Sequence, residues 1–179
     1  MRYAQRLIPG GSAPSNAFVE RLVSDQIDVA WMIERDGTFV HVLKTEVEDL
    51  ETMRGYAMVT MLDGELANET LDHLPGVNIA TNGAYAAELL LDHDHLTELH
   101  RIIGGKAYLA GVPRRGRFLV GGIGAGVDGM RAFVEHVRRE YAEAPAAEQI
   151  SPAAMFVRDG APKNVIGELE LAALASRLR

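Results

Sequence analysis

The chain has 179 residues, 47% of them hydrophobic, which supplies enough apolar surface for an ordinary globular core. A formal charge of −7 and a pI near 5.4 argue against a general nucleic-acid or anionic-membrane binder, because both need a cationic face to displace counterions. The absence of cysteine excludes disulfides, thiolate metal sites and cysteine nucleophiles together.

No apolar stretch approaches the ~20 residues a membrane span needs. No apolar signal-peptide core lies between Arg2, Arg6 and Pro9-Gly10-Gly11, so a soluble, cytoplasmic protein is expected. Residues 1–17, with Pro9, Gly10, Gly11, Ser12, Pro14, Ser15 and Asn16, read as a flexible arm. Ala17–Val23 reads as a short helix capped by Asn16. A hairpin follows, with Asp28–Ile33 and Thr38–Leu43 rich in Val, Ile, Phe and Trp and joined through Asp36-Gly37, where glycine takes positive φ freely.

Thr45 is placed to cap a helix whose first turn carries Glu46, Glu48 and Asp49. Leu50, Met53, Ala57 and Met61 recur at helical spacing, and the helix breaks at Asp63-Gly64. Val77–Ala80 and Ala84–Leu91 read as a second pair of strands, the latter also rich in helix formers. Asp92 or Asp94 caps a short helix bearing Leu96, Leu99, Ile102 and Ile103, closed by Gly104-Gly105. A second hairpin spans Tyr108–Gly124, and an amphipathic helix with Met130, Phe133, Val134, Val137 and Tyr141 comes after it. Ala153–Val157 reads as a last strand ended by Arg158-Asp159-Gly160, then a turn at Pro162 and a terminal helix around Leu169 and Leu174.

The two hairpin-then-helix stretches fall into register, Arg35 on Arg114, Gly37 on Gly116, Phe39 on Phe118 and Asp49 on Asp128. Hairpins followed by helices predict an α+β fold, with an antiparallel or mixed sheet, helices packed mainly on one face, and two pseudo-repeated hairpin–helix units. The expected organisation is an arm over 1–17, one domain over 18–162, and a C-terminal helix over 163–179 that packs or oligomerises.

The order of features also carries a resemblance. It runs from the hairpin Asp28–Leu43 and its acidic helix through Leu74-Pro75 and the helix of Leu96–Ile103. It continues with the Leu109–Val120 hairpin with Val112-Pro113, the long helix, and Ile150-Ser151-Pro152 leading into Met155-Phe156-Val157. Over residues 25–162 this order resembles the YtpQ-like family of uncharacterised bacterial proteins. What the resemblance implies is a fold, since the family brings no established activity.

Three groups of residues carry chemistry. Asp92, His95 and Glu98, within the run Asp92-His93-Asp94-His95 to His100, could supply oxygen and nitrogen ligands to a divalent metal such as Zn or Mn and so support a hydrolase. The plainer alternative is an acidic helix start with incidental histidines. Gly124-Ala125-Gly126-Val127-Asp128-Gly129 spells G-x-G-x-x-G, so Gly124, Gly126 and Gly129 could receive a phosphate or nucleotide. Against that, the preceding strand belongs to a hairpin, and Asp128 would repel phosphate. Arg114, Arg115 and Arg117, with Lys106 or Arg101 nearby, make the one basic patch of an acidic chain and could dock a protein partner.

Trp31 is assigned to the core, and Ser12, Ser15 and Ser151 lack a nucleophile-elbow context. The leucines of the terminal helix could close a homodimer. Together these readings favour a non-catalytic protein-interaction or homo-oligomeric module needing no cofactor, with the metal-dependent hydrolase and the phosphate binder as alternatives.

Overall fold

The computed structural model describes residues 2–23, 25–47, 49–62 and 65–177, and for 58–62, 168 and 174–177 only the course of the backbone. The fold is α+β with two antiparallel sheets. The chain divides into two compact units, Met1–Glu65 and Leu66–Arg179, in place of the single domain expected over 18–162.

The smaller unit is organised by β3 (Ile27–Arg35), whose residues from Ile27 to Trp31 are all buried. β1 (Tyr3–Pro9) lies antiparallel along one edge of β3, from Tyr3 opposite Ile33 to Pro9 opposite Ile27. β2 (Val19–Arg21) and β4 (Thr38–His41) share the other edge. The expected arm is therefore a strand followed by a turn. Its Ala4, Leu7 and Ile8 are buried, and the turn residue Gly11 donates to the buried carboxylate of Asp28 at 2.8 Å. The helix expected over Ala17–Val23 is also a strand, because Val19, Glu20 and Arg21 complete the ladder of β3.

Trp31, Ile33, Val42, Met53 and Ala57 form this unit's core, and Trp31 Nε1 donates to Glu20 at 2.8 Å. The first helix, α1 (Leu50–Leu62), starts four residues later than a Thr45 cap would have it. Asp49 is its cap, accepting from Glu51 N and Thr52 N, while Lys44–Glu46 forms a single 3-10 turn. The break expected at Asp63-Gly64 lies outside the described residues.

The larger unit is a six-stranded antiparallel sheet. It contains β5 (Ala67–Thr70), β6 (Asn78–Asn82), β7 (Ala107–Gly111), β8 (Arg117–Gly122), β9 (Ala154–Arg158) and β10 (Ala161–Ile166), in the order β10-β9-β7-β8-β6-β5. Period-two alternation separates its faces. Leu109, Gly111, Leu119 and Gly121 turn toward α3 (Gly126–Glu143), where Gly111 lies under Val137 and Gly121 under Phe133. Tyr108 and Phe118 turn the other way, to α2 (His93–Ile103): Tyr108 donates to the Leu96 carbonyl at 2.9 Å and Phe118 meets the His95 ring. The helices of this unit therefore occupy both faces of the sheet. α4 (Glu168–Arg177) joins the α3 side through the fully buried Leu171, while Leu169 is 84% exposed.

Two further elements differ from expectation. Ala84–Leu91 is not a strand but a turn and a 3-10 stretch with Ala86, Ala87, Leu89 and Leu90 buried. β10 replaces the turn expected at Pro162 and pairs with β9 through a bulge between Pro162 and Asn164. Proline and a bulge are common on an outer strand, since both discourage pairing with another chain.

Deleting residues 2–9 strips one whole edge from β3. The variant should lose cooperative unfolding of the smaller unit, read from the fluorescence of Trp31, the chain's single tryptophan. A dispensable arm would leave that transition in place.

Candidate functional site

One face of α2 is built to hold a turn. His93, Thr97 and His100 follow one another at helical spacings of four and three, so their side chains share a face. Asp92 starts the helix by accepting from Asp94 N and His95 N, each at 3.0 Å, and Gly104 ends it at φ +80°. Opposite the face lies the β9–β10 turn, where Asp159 and Gly160 both have positive φ, at 53° and 66°. His93 Nδ1 donates to the Gly160 carbonyl at 2.9 Å, and the Gly160 amide faces His100 Nε2 at 3.4 Å. His100 Nδ1 lies 3.1 Å from the Gly105 carbonyl and so carries the ring proton, leaving Nε2 as acceptor. Any side chain at Gly160 would collide with Thr97 Oγ1 and the His93 ring.

These contacts leave a cleft of about 520 Å³ lined by Thr97, His100, Lys106, Arg158, Asp159 and Gly160. His93 and His100 thus serve the turn, and the residues nominated for a metal go separate ways. The Asp92 carboxylate caps α2. Glu98 pairs with Arg101 on the exposed side, which holds its carboxyl below the usual range. His95 lies against Phe118, where burial lowers its pKa and Asp92 partly offsets that effect. Among the described residues no three His, Asp or Glu side chains are grouped to hold a metal ion.

The β7–β8 loop divides the three arginines. Arg117 is only 7% exposed, so it is not part of a solvated tip. Its guanidinium meets Glu140 of α3 at 2.8 and 2.9 Å, Asn82 at 2.7 Å and Glu69 at 2.8 Å. Arg139 donates to His136 Nδ1 across 2.6 Å, leaving the ring proton on Nε2, 3.0 Å from Glu140 Oε1. Burial alone would raise the Glu140 carboxyl, but His136 and Arg117 outweigh it and lower its pKa to about 2.

Arg114 and Arg115 remain at the surface, half-buried and exposed respectively. Their backbone is stitched in place: Arg115 N donates to Glu148 O at 2.8 Å, Ile150 N to Pro113 O at 3.0 Å and Gly83 N to Gly116 O at 3.2 Å. Beside them Arg114, Glu140, Glu143, Ala144, Pro145 and Glu148 line a cleft of about 380 Å³.

The G-x-G-x-x-G run serves packing at one glycine and a bend at another. Gly129 is buried and leaves room for Ala125 and the Pro75 carbonyl, while Gly126 takes φ +73°. β8, which precedes the run, has only antiparallel neighbours, so the parallel strand–helix–strand setting of a dinucleotide fingerprint is missing. Asp128 projects into solvent beside Arg131 at the start of α3. No family model, curated protein or solved structure matches the chain, so the resemblance drawn from feature order gains no support and meets no contradiction.

The cleft at the end of α2 escaped sequence reasoning because Arg158 reaches it only through the β9–β10 hairpin. A signal was present. Arg158-Asp159-Gly160 repeats the Arg35-Asp36-Gly37 of the first hairpin, where Asp36 and Gly37 also have positive φ, at 51° and 76°.

Two substitutions test this geometry. Gly160→Ala combines a disfavoured φ with overpacking and should cost roughly 2–4 kcal/mol in urea unfolding; a neutral result would mean that α2 does not hold the turn. Glu140→Gln leaves Arg117 short of a buried partner and should cost about 3 kcal/mol near neutral pH. The Glu140 pKa is depressed in the folded state, so its contribution is complete above the ordinary value of 4.5 and lost as pH falls toward about 2. The gap between wild type and Glu140→Gln should therefore narrow across that window, whereas a constant gap would remove the assigned role.

Proposed function

We propose that the protein is a non-catalytic interaction module that meets a protein partner through Arg114, Arg115 and the adjoining cleft of the larger unit. The observation that carries this reading is the anchoring of the β7–β8 loop. Backbone hydrogen bonds from 148–151 on one side and from Gly83 on the other hold residues 112–116. A loop already fixed in one shape loses little conformational entropy when a partner binds. Arg114 and Arg115 are accordingly presented from a rigid edge, and guanidinium forks match the carboxylates of an acidic partner. Glu143 and Glu148 beside Arg114 give the cleft mixed charge, which favours a partner carrying both signs over a simple polyanion.

The hydrolase reading finds less support, because Asp92, Glu98, His93 and His100 each already serve a helix end, an ion pair or a turn. A cytoplasmic protein acting on another protein, or on a second copy of itself, fits the composition and charge.

The test pairs wild type with Arg114→Ser/Arg115→Ser, leaving the buried Arg117 intact. Immobilised wild type should retain a protein partner from a lysate of its source cells in near-stoichiometric amount. The double variant, with unchanged thermal unfolding, should retain at least tenfold less. Equal retention by both proteins would end the reading, and sedimentation of each would show whether the partner is a second copy.

A further inference from the structure

We propose that the cleft between the C-terminal half of α2 and the β9–β10 turn is a binding site for a small organic anion carrying a phosphate or carboxylate group. Its volume of about 520 Å³ is that of a metabolite pocket rather than a macromolecular groove. Its walls offer the donors an anion needs: the Lys106 ammonium, the Arg158 guanidinium and the Thr97 hydroxyl. This surface lies apart from the Arg114–Arg115 loop in the sheet, so the inference stands on separate residues.

Three observations lead from cleft to ligand. First, two cations, Lys106 and Arg158, line one cleft in a chain whose net charge is −7.

Second, the counter-charge among the lining residues is the single carboxylate of Asp159. Among the described residues Lys106 has no ion pair. Arg158 has only Asp159 at 3.6 Å, with both side chains more than half exposed, where solvent screens the attraction.

Third, a backbone donor is only loosely used. The Gly160 amide faces His100 Nε2 at 3.4 Å, beyond the usual range for such a bond. An anion seated between Lys106 and Arg158 would give this amide a stronger, charged acceptor. The turn that presents it is fixed by His93 through the Gly160 carbonyl, so the donor is pre-positioned.

The experiment follows the Gly105 and Gly160 amides by two-dimensional NMR. Inorganic phosphate or malonate is added at constant ionic strength to wild type, Lys106→Ser/Arg158→Ser and Arg101→Ser. Wild type should show saturable shifts at both amides with a Kd of about 1 mM or tighter, and whichever of phosphate or malonate binds more tightly identifies the anionic group. Lys106→Ser/Arg158→Ser should bind at least tenfold more weakly with its other resonances in place. Arg101→Ser, which removes an equal charge from the outer face of α2, should bind as wild type does. Absence of saturable shifts with either anion would overturn the proposal. Equal weakening by Arg101→Ser would also overturn it, because the effect would then be general charge rather than a site.

Discussion

The larger unit depends on a buried guanidinium. Arg117 stands at the first position of β8, on the face that α3 covers, and a charge there costs several kcal/mol unless it is surrounded by acceptors. Glu140, Asn82 and Glu69 provide them from α3, β6 and β5. Each bond constrains a different element. The Glu140 contact sets the rotation of α3, and that rotation lets Val137 pack over Gly111 and Phe133 over Gly121. The Asn82 and Glu69 contacts join the outer strands to the same point. The Arg117 amide, donating to the Arg114 carbonyl at 3.2 Å, closes the loop that precedes it. Arg117, expected at a solvated tip that docks a partner, is instead the buried anchor beside Arg114 and Arg115.

Several glycines serve specific structural ends. Gly111 and Gly121 let a helix lie close on the sheet, and Gly160 lets a turn fit beneath two histidines. The hairpins of β3–β4 and β9–β10 close with the same Arg-Asp-Gly sequence and the same pair of positive φ angles, the geometry that matches strand twist in a two-residue turn. The β7–β8 connection is longer, and hydrogen bonds to Gly83 and to residues 148–151 hold it in addition to its own Arg117–Arg114 bond. The sequence parallel between the first and second hairpins is thus real as order but not as turn geometry.

Elements with a strong local signal were legible in the sequence. Asp92 and Gly104 bracket α2, and the spacing of Met130, Phe133, Val134 and Val137 defines the buried face of α3. The misread segments are those whose structure depends on distant partners. Residues 3–9 carry turn-formers on their C-terminal side and become a strand only because β3 offers an edge. Pro162 signals a turn locally, yet an outer strand with a bulge accommodates it. The candidate sites follow the same rule. Arg114 and Arg115 were visible as charge, while the burial of Arg117 and the cleft that Lys106 and Arg158 both line arise from tertiary structure, which no local pattern encodes.

The central claim is that residues 112–116 form a rigid platform although they lie between strands. Native-state hydrogen exchange on the Arg115 and Ile150 amides tests it most directly, since both donate across the gap between the loop and residues 148–151. Protection close to that of the β7–β8 ladder is the predicted result. Exchange at the rate of a free surface loop would contradict the account, because Arg114 and Arg115 would then have no fixed geometry to offer a partner.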